Sequence, residues 1–384
     1  MADHHGLTIP AAAFHPHFGV GLRHRQHLKN APYETRDSDL TRDKYVILEM
    51  KMLNEIWSSI TDFYDPTIGM LQQWAWGLPL YFVVVAWIVF FAKEDRGPLT
   101  MRTLMRAVFP KDQYDHASGR VDRWNGIILL AIGFPLSVFV AINAISVADN
   151  LAGFLTAHFG ARSTLMETDW KIVASQFVVY FLVLDFVGYW VHRWCHEVQV
   201  LWPLHKPHHS AETLTPWTLF RQHPIEFFFL NTIPSFFAGI AVGLLLYATG
   251  TSVNPGTMTV IGIQVYVSFF VVDTMSHVHV HVSYGNFLNR IILAPVMHNL
   301  HHSIELEHRD KNYGVILTVW DWMFGTLYLP QKNETWRWGL NEVEFGETNP
   351  HKTLTGFYVE PFVSFWQGLR QTEVRQNVAA QNHE

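Results

Sequence analysis

Long apolar blocks separated by polar segments dominate the central part of the chain. Four blocks approach or exceed the length of a bilayer span, at 74–92, 126–147, 171–191 and 225–250. A fifth, at about 258–277, forms with the fourth either two full spans or a shallower hairpin. Because about 20 apolar residues cross the hydrocarbon core of a bilayer, the pattern predicts an all-α, integral membrane helical bundle of four to five spans.

Two features of the sequence interrupt these blocks. Pro135 lies inside the second block and predicts a kink, because proline removes a helical hydrogen bond. Asn254, Pro255 and Gly256 separate the fourth block from the fifth and predict a tight turn. Before the first block the sequence is mixed and polar, and 44–60 has the pattern of an amphipathic helix.

Lysine and arginine are distributed unevenly around the blocks. None occurs between Met52 and Ala92, whereas seven lie in 93–123. Positively charged loops stay in the cytoplasm, so 93–123 is predicted to be cytoplasmic and the residues before Trp74 to lie outside. The ends of the third and fifth blocks then return to the cytoplasmic face. The final residues carry no dilysine or KDEL-type signal, which favours a bacterial inner membrane over the endoplasmic reticulum.

Composition narrows the possible classes of protein. Hydrophobic residues make up 49% of the chain and charged residues only 16%, which is unusual for a soluble protein. The formal net charge of −6 argues against nucleic acid as a partner. Cys195 is the single cysteine, so an intrachain disulfide and a thiolate zinc site are both excluded.

Histidines gather where the third block ends and again far downstream. The spacings within 185–210 are HxxxH and HxxHH, and a second HxxHH follows at 298–302. Residues three or four apart share one helix face, and imidazole is a common ligand of transition metals. The eight candidate ligands are His192, His196, His205, His208, His209, His298, His301 and His302. Eight nitrogens exceed the need of one four-coordinate ion, so the sequence predicts two metals.

A ninth ligand is expected from the alternating histidines at the end of the fifth block. His277, His279 and His281 share one face of a strand, whereas His277 and His281 share one face of a helix. His277 is favoured because it ends a membrane block and follows Asp273 by four residues.

Carboxylates near the histidines are candidates for orienting them. Asp185 lies in one helical stripe with His192 and His196, and metal-bound histidines commonly donate their second N–H to a carboxylate. Asp273 could do the same for His277, and Asp321 is a further candidate. His223 either supports a ligand or starts a helix, and Cys195 points away from the ligand face.

The all-nitrogen donor set suits iron or copper, and zinc remains possible. Three classes of function are open at this stage. One is a redox enzyme acting on lipids, the second is a membrane metal-binding or transport protein, and the third is a zinc hydrolase of lipids. The clustering at one membrane face disfavours transport. HExxH is absent from the sequence, which disfavours a zincin protease.

The motifs resemble the membrane-bound fatty acid hydroxylase and sterol desaturase superfamily. The strings that carry the resemblance are HRWCH, HKPHHSAE, RQHPIE, HNLHHS, DKNYG and WDWMFGT, with a weaker echo at 108–122. The resemblance implies a helical membrane anchor under a cytosolic helical cap that holds two metal ions, normally iron. The eight histidines match the family's ligands. His277 matches a further histidine that opens an HxN-like segment, where this chain has His279 in place of Asn.

The resemblance also divides the chain and implies a reaction. A polar, partly helical region (1–69) precedes a membrane and catalytic domain (70–329), and a soluble tail (330–384) follows. The implied reaction is O2-dependent hydroxylation of a lipid-like substrate, either fatty acyl, sterol or ether lipid, with desaturation as the alternative. The sequence has no haem or flavin domain and no cysteine set for an iron–sulfur cluster. We therefore expect a separate electron donor, namely a cytochrome b5-like protein, a ferredoxin or a reductase.

Overall fold

The computed structural model describes residues 83–92, 97–164, 169–254, 267–332, 334–340 and 348–381, with single positions between 257 and 264. All of these belong to one compact unit that begins at Gly69. The predicted helix at 44–60, the beginning of the first block and part of the fifth block lie outside the described residues. The same holds for Pro255 and Gly256 of the predicted turn.

The described residues are all-helical, with two isolated antiparallel bridges and no strand. The helices are α1 (Val83–Ala92), α2 (Met101–Val108), α3 (Lys111–Asp115), α4 (Ala117–Phe159), α5 (Asp169–Glu197), α6 (Trp202–His209), α7 (Pro224–Thr249), α8 (Thr274–Ser276), α9 (Gly285–Leu288), α10 (Pro295–His301), α11 (Val319–Phe324) and α12 (Leu354–Gln381). A π-helical turn, Ser268–Asp273, leads directly into α8.

Helix α4 is much longer than the predicted second block. Its 43 residues would extend about 64 Å at the usual rise, and Pro135 lies within the continuous helix. The Nδ1 of His116 accepts from the backbone N–H of Ser118 and caps the first turn. The helix ends at Gly160, whose φ of +81° favours glycine. The apolar block underestimated the helix at both ends because the flanking residues are more polar. These residues contain no proline that would stop a helix.

Helices α5 and α7 confirm the third and fourth blocks. Within the described residues, these two are long and apolar enough to cross a membrane. Helix α7 approaches α4 closely because Gly239 and Gly243 face Ala144 and Ala148. A Cβ at Gly239 would lie 2.6 Å from the carbonyl oxygen of Ala144. The number of spans, the helical cap and the side of the membrane on which it lies stay predictions.

The described residues beyond 330, which belong to the predicted soluble tail, contact the histidine-bearing part of the chain. Helix α12 packs against α6, and the Glu360 carboxylate lies 3.5 Å from Nζ of Lys206 and 2.8 Å from Nε2 of His351. The carbonyl of His351 accepts from the Arg221 guanidinium at 2.9 Å. The described part of this region therefore braces the histidine-bearing helix α6. The contacts of Glu360 and Arg221 join polar groups, which have no periodic signal in the sequence.

Candidate metal centre

The fold brings all nine predicted histidines together in two groups. The five-histidine group is His192, His196, His205, His209 and His301, and the four-histidine group is His208, His277, His298 and His302. Within each group the candidate ligand atoms lie within 4.8 Å of one another. Of the three alternating histidines, His277 alone enters a group, as favoured from the sequence. His281 instead stacks on Trp336.

Each HxxHH motif divides its histidines between the two groups. In α6, His205 and His209 enter the five-histidine group and His208 enters the four-histidine group. At α10 the division is reversed, because His298 and His302 enter the four-histidine group and His301 the other. Positions i and i+4 are about 40° apart around a helix, whereas i+3 lies about 60° to the other side. Each motif therefore contributes two histidines to one group and one to the other, and the group that receives two differs between the motifs.

The Nε2 atoms converge at the centre of each group. In the five-histidine group, Nε2 of His301 lies 3.1 Å from that of His192, and Nε2 of His209 lies 3.1 Å from that of His205. In the four-histidine group the corresponding separations are 3.1–3.2 Å, and they join His208 to His277, His277 to His298, and His298 to His302. Nε2 of His196 is buried without a hydrogen-bond partner.

The hydrogen bonds made by Nδ1 determine whether Nε2 of the same histidine carries a proton. Nδ1–H of His192 donates to the carbonyl of Tyr313 at 2.9 Å, and Nδ1–H of His301 donates to that of Lys311 at 2.6 Å. Nδ1–H of His277 donates to the carbonyl of Asp273 at 2.6 Å. A neutral imidazole that donates through Nδ1 presents a bare lone pair at Nε2.

In the pairs His192–His301 and His208–His277 each Nδ1 faces a carbonyl, so two Nε2 lone pairs face each other at hydrogen-bond distance, an arrangement that a cation relieves. Two nitrogens bound at right angles to one ion at about 2.1 Å would lie about 3.0 Å apart, close to the observed separations. The donor set contains only imidazole nitrogen, which fits iron, copper or zinc and not calcium or magnesium. The residues present therefore fit a transition-metal site in each group.

Burial keeps the imidazoles in the form that binds metal. It lowers the pKa of six of these histidines well below the ordinary value, and neighbouring imidazoles lower it further. This applies to His205, His208, His209, His298, His301 and His302. These side chains are therefore neutral at physiological pH and available as ligands.

Glu226 is an important residue that the sequence reasoning did not single out. Its Oε1 lies 2.5 Å from Nδ1 of His205, and both side chains are buried. Its Oε2 accepts from the backbone N–H of His223, whose Nδ1 in turn accepts from the N–H of Ile225. This is a capping box at the start of α7. The spacing of His223 and Glu226 was the available signal, and His223 acts at the helix start.

The predicted contact between Asp185 and a ligand histidine is wrong. Its carboxylate accepts from the backbone N–H groups of Ile316 and Leu317 and from Trp320 Nε1, at 2.8–3.2 Å. The reason is distance, because seven residues along α5 place Asp185 about 10 Å from His192. Asp185 instead holds the loop that follows Tyr313.

Asp321 holds the other side of this loop. It accepts from the backbone N–H groups of Tyr313 and Gly314, both at 2.8 Å. Because the Tyr313 carbonyl accepts from His192, Asp321 acts on that ligand through the backbone. Asp273 likewise contributes its backbone carbonyl to His277, where a carboxylate was predicted.

Arg221 braces α6 from behind the four-histidine group. Its fully buried guanidinium donates to the Pro207 carbonyl at 2.8 Å and pairs with Asp122 of α4 at 2.5 Å. Its own carbonyl lies 3.3 Å from Nδ1 of His208. The weak motif echo at 108–122 thus includes the partner of Arg221, whereas buried Cys195 belongs to neither histidine group.

Comparisons with known proteins agree with this site. Residues 177–326, which contain all nine histidines, match the family model described as fatty acid hydroxylase. The chain is 29% identical to alkylglycerol monooxygenase of Homo sapiens over 182 residues, which are 47% of this chain and 35% of that protein. It is 34% identical to very-long-chain aldehyde decarbonylase GL1-11 of Oryza sativa subsp. japonica, over 44% of this chain and 58% of that one.

A third relative is the ornithine lipid hydroxylase OlsE of Rhizobium tropici, which is 29% identical over 42% of this chain and 44% of its own. The chain thus spans 35–58% of the length of these relatives. No solved structure matches it. The matched part of the chain is therefore similar to the fatty acid hydroxylase and sterol desaturase superfamily.

Proposed function

We propose that this protein is an integral membrane oxidoreductase that hydroxylates a C–H bond of a lipid-like substrate, using O2 and two iron ions held by the nine histidines. The observation that carries the proposal is the convergence of Nε2 atoms in two groups, with separations of 3.1–3.2 Å. The Nδ1 atoms of several of these histidines are hydrogen-bonded to carbonyl or carboxylate oxygens. The substrate classes are fatty acyl, sterol and ether lipids.

The relatives support the reaction class. One is named a monooxygenase of alkylglycerol and another a hydroxylase of ornithine lipid. A third is named an aldehyde decarbonylase, so similar sequences carry different reactions on long-chain molecules. The two long apolar helices support a location in a membrane, where such substrates reside. The cytoplasmic position of the histidines and the division into 1–69, 70–329 and 330–384 are parts of the same proposal.

The stoichiometry of the proposed reaction is R–H + O2 + 2 e⁻ + 2 H⁺ giving R–OH + H2O. When bound, the two iron ions supply the redox chemistry that activates O2 toward an unactivated C–H bond. The protein holds the imidazoles neutral and orients them through Glu226 and the carbonyls of Tyr313 and Asp273. The histidines are buried in the protein, which keeps bulk water from the reacting groups. The electrons come from a separate donor protein.

Desaturation and zinc-dependent hydrolysis are the two alternative reactions. Desaturation would use the same histidines and remove a second hydrogen in place of forming the alcohol. A zinc hydrolase would need a carboxylate free to act as general base. Neither histidine group includes one within the described residues, and Glu226 is already bonded to His205. Hydroxylation is therefore the preferred reaction.

The test uses the full chain produced in a bacterial host with ferrous iron and ¹⁸O2, followed by mass spectrometry of the membrane lipids. We expect a lipid species that gains one ¹⁸O, which is absent with His301→Ala. A matched control is His281→Ala, which removes a histidine that stacks on Trp336 outside both groups. This control should retain the product. Loss of two hydrogens without added oxygen would favour desaturation, and a zinc-dependent release of fatty acids would favour hydrolysis.

A further inference from the structure

A second apolar surface lies outside the two candidate spans. Helices α9 and α11 and the turn after α9 expose large apolar side chains, which together are called the apolar platform. Its members are Phe287, Leu288, Ile291, Ile292, Trp322, Met323 and Phe324. Phe287 is 75% exposed and Trp322 is 66% exposed, which are high values for side chains of this size. An apolar patch of this kind marks a binding surface.

The platform is built into the fold by hydrogen bonds beneath it. The N–H of Leu293 donates to the carbonyl of Ile316 at 2.8 Å, and the N–H of Thr318 donates to that of Ile291 at 3.1 Å. The Thr318 hydroxyl donates to the carbonyl of Asn289 at 2.9 Å. The segments that carry α9 and α11 therefore form one unit, and their exposed side chains are presented together.

The platform continues the apolar side of α5. The ring of Phe186 lies 5.0 Å from that of Trp320 and 6.3 Å from that of Phe324, and Trp190 lies 4.9 Å from Phe324. Further along α5, Val178 and Leu182 are exposed at the same four-residue spacing as Phe186. Aromatic side chains thus connect a candidate span with the platform without a polar break.

Charge is consistent with a lipid surface. Within 284–292 and 319–324 the charged residues are Arg290 and Asp321. Asp321 is fully buried and bonded to the loop backbone, so it does not reach the platform. Arg290 is exposed, and an arginine at the edge of an apolar surface suits the phosphates of lipid head groups.

We propose that the apolar platform docks into the hydrocarbon edge of the membrane that α5 crosses, as an interfacial surface additional to the spans. The proposal rests on the membrane location given under the proposed function, and its occupant is lipid. Phe324 also stacks on Tyr189, whose ring lies 6.2 Å from Tyr313, and Tyr313 contacts His196. Two aromatic layers therefore separate lipid at the platform from the five-histidine group.

Nitroxide labels on the full chain test this placement. Cys195 is buried and is replaced by alanine, and a new cysteine is introduced as Phe287→Cys or Trp322→Cys. The matched control is Leu306→Cys, because Leu306 is 78% exposed but stands between Glu305 and Glu307. Each labelled protein is reconstituted into phosphatidylcholine–phosphatidylglycerol vesicles, and collisions with O2 and with a water-soluble nickel chelate are measured by electron paramagnetic resonance.

The expected result is that labels at 287 and 322 collide mainly with O2, whereas the label at 306 collides mainly with nickel. Nickel access at 287 and 322 equal to that at 306 would overturn the proposal. Shielding of both labels from O2 and nickel alike would also overturn it, because protein would then cover the platform. The measurement needs no iron and no turnover. Its result is therefore separate from that of the lipid analysis.

Discussion

The carboxylate of Glu226 lies 2.5 Å from Nδ1 of His205, although the two residues are 21 positions apart in the chain. The capping box at the start of α7 fixes this carboxylate, since its second oxygen accepts from the His223 backbone. The first turn of an apolar helix therefore orients a histidine of the five-histidine group. Such partners fix the tautomer of a ligating histidine and raise its basicity.

Removing the Glu226 carboxylate is expected to weaken metal binding. Glu226→Ala should lower affinity by about 10–100-fold, the usual effect of losing such a partner. Glu226→Gln keeps one acceptor oxygen, which can serve either His205 or the His223 N–H, so its effect should be smaller. Metal retained during dialysis against a graded chelator measures the difference. Glu197→Gln is the control, because Glu197 pairs with Arg193 at the surface. Equal retention in Glu226→Ala and wild type would contradict the assigned role.

The buried pair of Arg221 and Asp122 makes a prediction about stability. Arg221→Met leaves the Asp122 carboxylate buried without its partner, which should lower the free energy of unfolding by about 3–5 kcal/mol. Adding Asp122→Asn removes the uncompensated charge and should restore part of the loss. Thermal unfolding in detergent, followed for both variants, measures this. A double variant less stable than Arg221→Met alone would show that the pair is not coupled in this way.

The metal-free chain should become less stable as the pH is lowered. Burial lowers the pKa of His209, His298 and His302 in the folded chain, whereas unfolded histidine titrates near 6.5. The unfolded chain binds more protons as the pH falls below about 6.5, so stability is present above that pH and lost below it. Burial also raises the pKa of Asp321 to about 6, which acts in the opposite sense.

A comparison of variants separates these two contributions. Unfolding temperatures are measured in chelator from pH 8 to pH 5, for wild type and for His302→Gln. The variant lacks one buried imidazole and should lose less stability over this range. An equal or steeper loss in the variant would contradict the account.

Glu360 tests the contribution of α12. Burial alone would raise its pKa, but hydrogen bonds from His351 and Ser364 and the charge of Lys206 lower it to about 2. Glu360→Ala should therefore reduce stability at neutral pH, by roughly 1 kcal/mol because the group is partly exposed. Ser364→Ala removes only one of these contacts and should have a smaller effect. An unfolding temperature unchanged in Glu360→Ala would show that α12 does not stabilise α6.

The ligand positions were predictable because they depend on local spacing. An HxxxH or HxxHH motif on a helix directs its nitrogens to neighbouring places whatever the rest of the fold does. The choice of His277 over His279 followed from its place at the end of an apolar block. The division of each HxxHH motif between two groups was not predictable, since it depends on how α6 and α10 face each other.

The residues that support the ligands were mostly missed for a related reason. Tyr313 and Asp273 contribute backbone carbonyls, which any residue type possesses, so the sequence carries no sign of them. Glu226 reaches His205 only through the folding of α7 against α6. Asp185 was assigned by helical phase alone, and phase does not measure distance along the helix. Polar pairs such as Arg221 and Asp122 have no periodic signal at all.

Metal analysis of gently purified protein tests the inference that the nine histidines form two metal sites. Wild type reconstituted anaerobically with ferrous iron should hold close to two irons per chain. His208→Ala and His301→Ala, one from each group, should each hold no more than one. One zinc per chain that ferrous iron does not displace would contradict the claim, as would two irons retained in both variants.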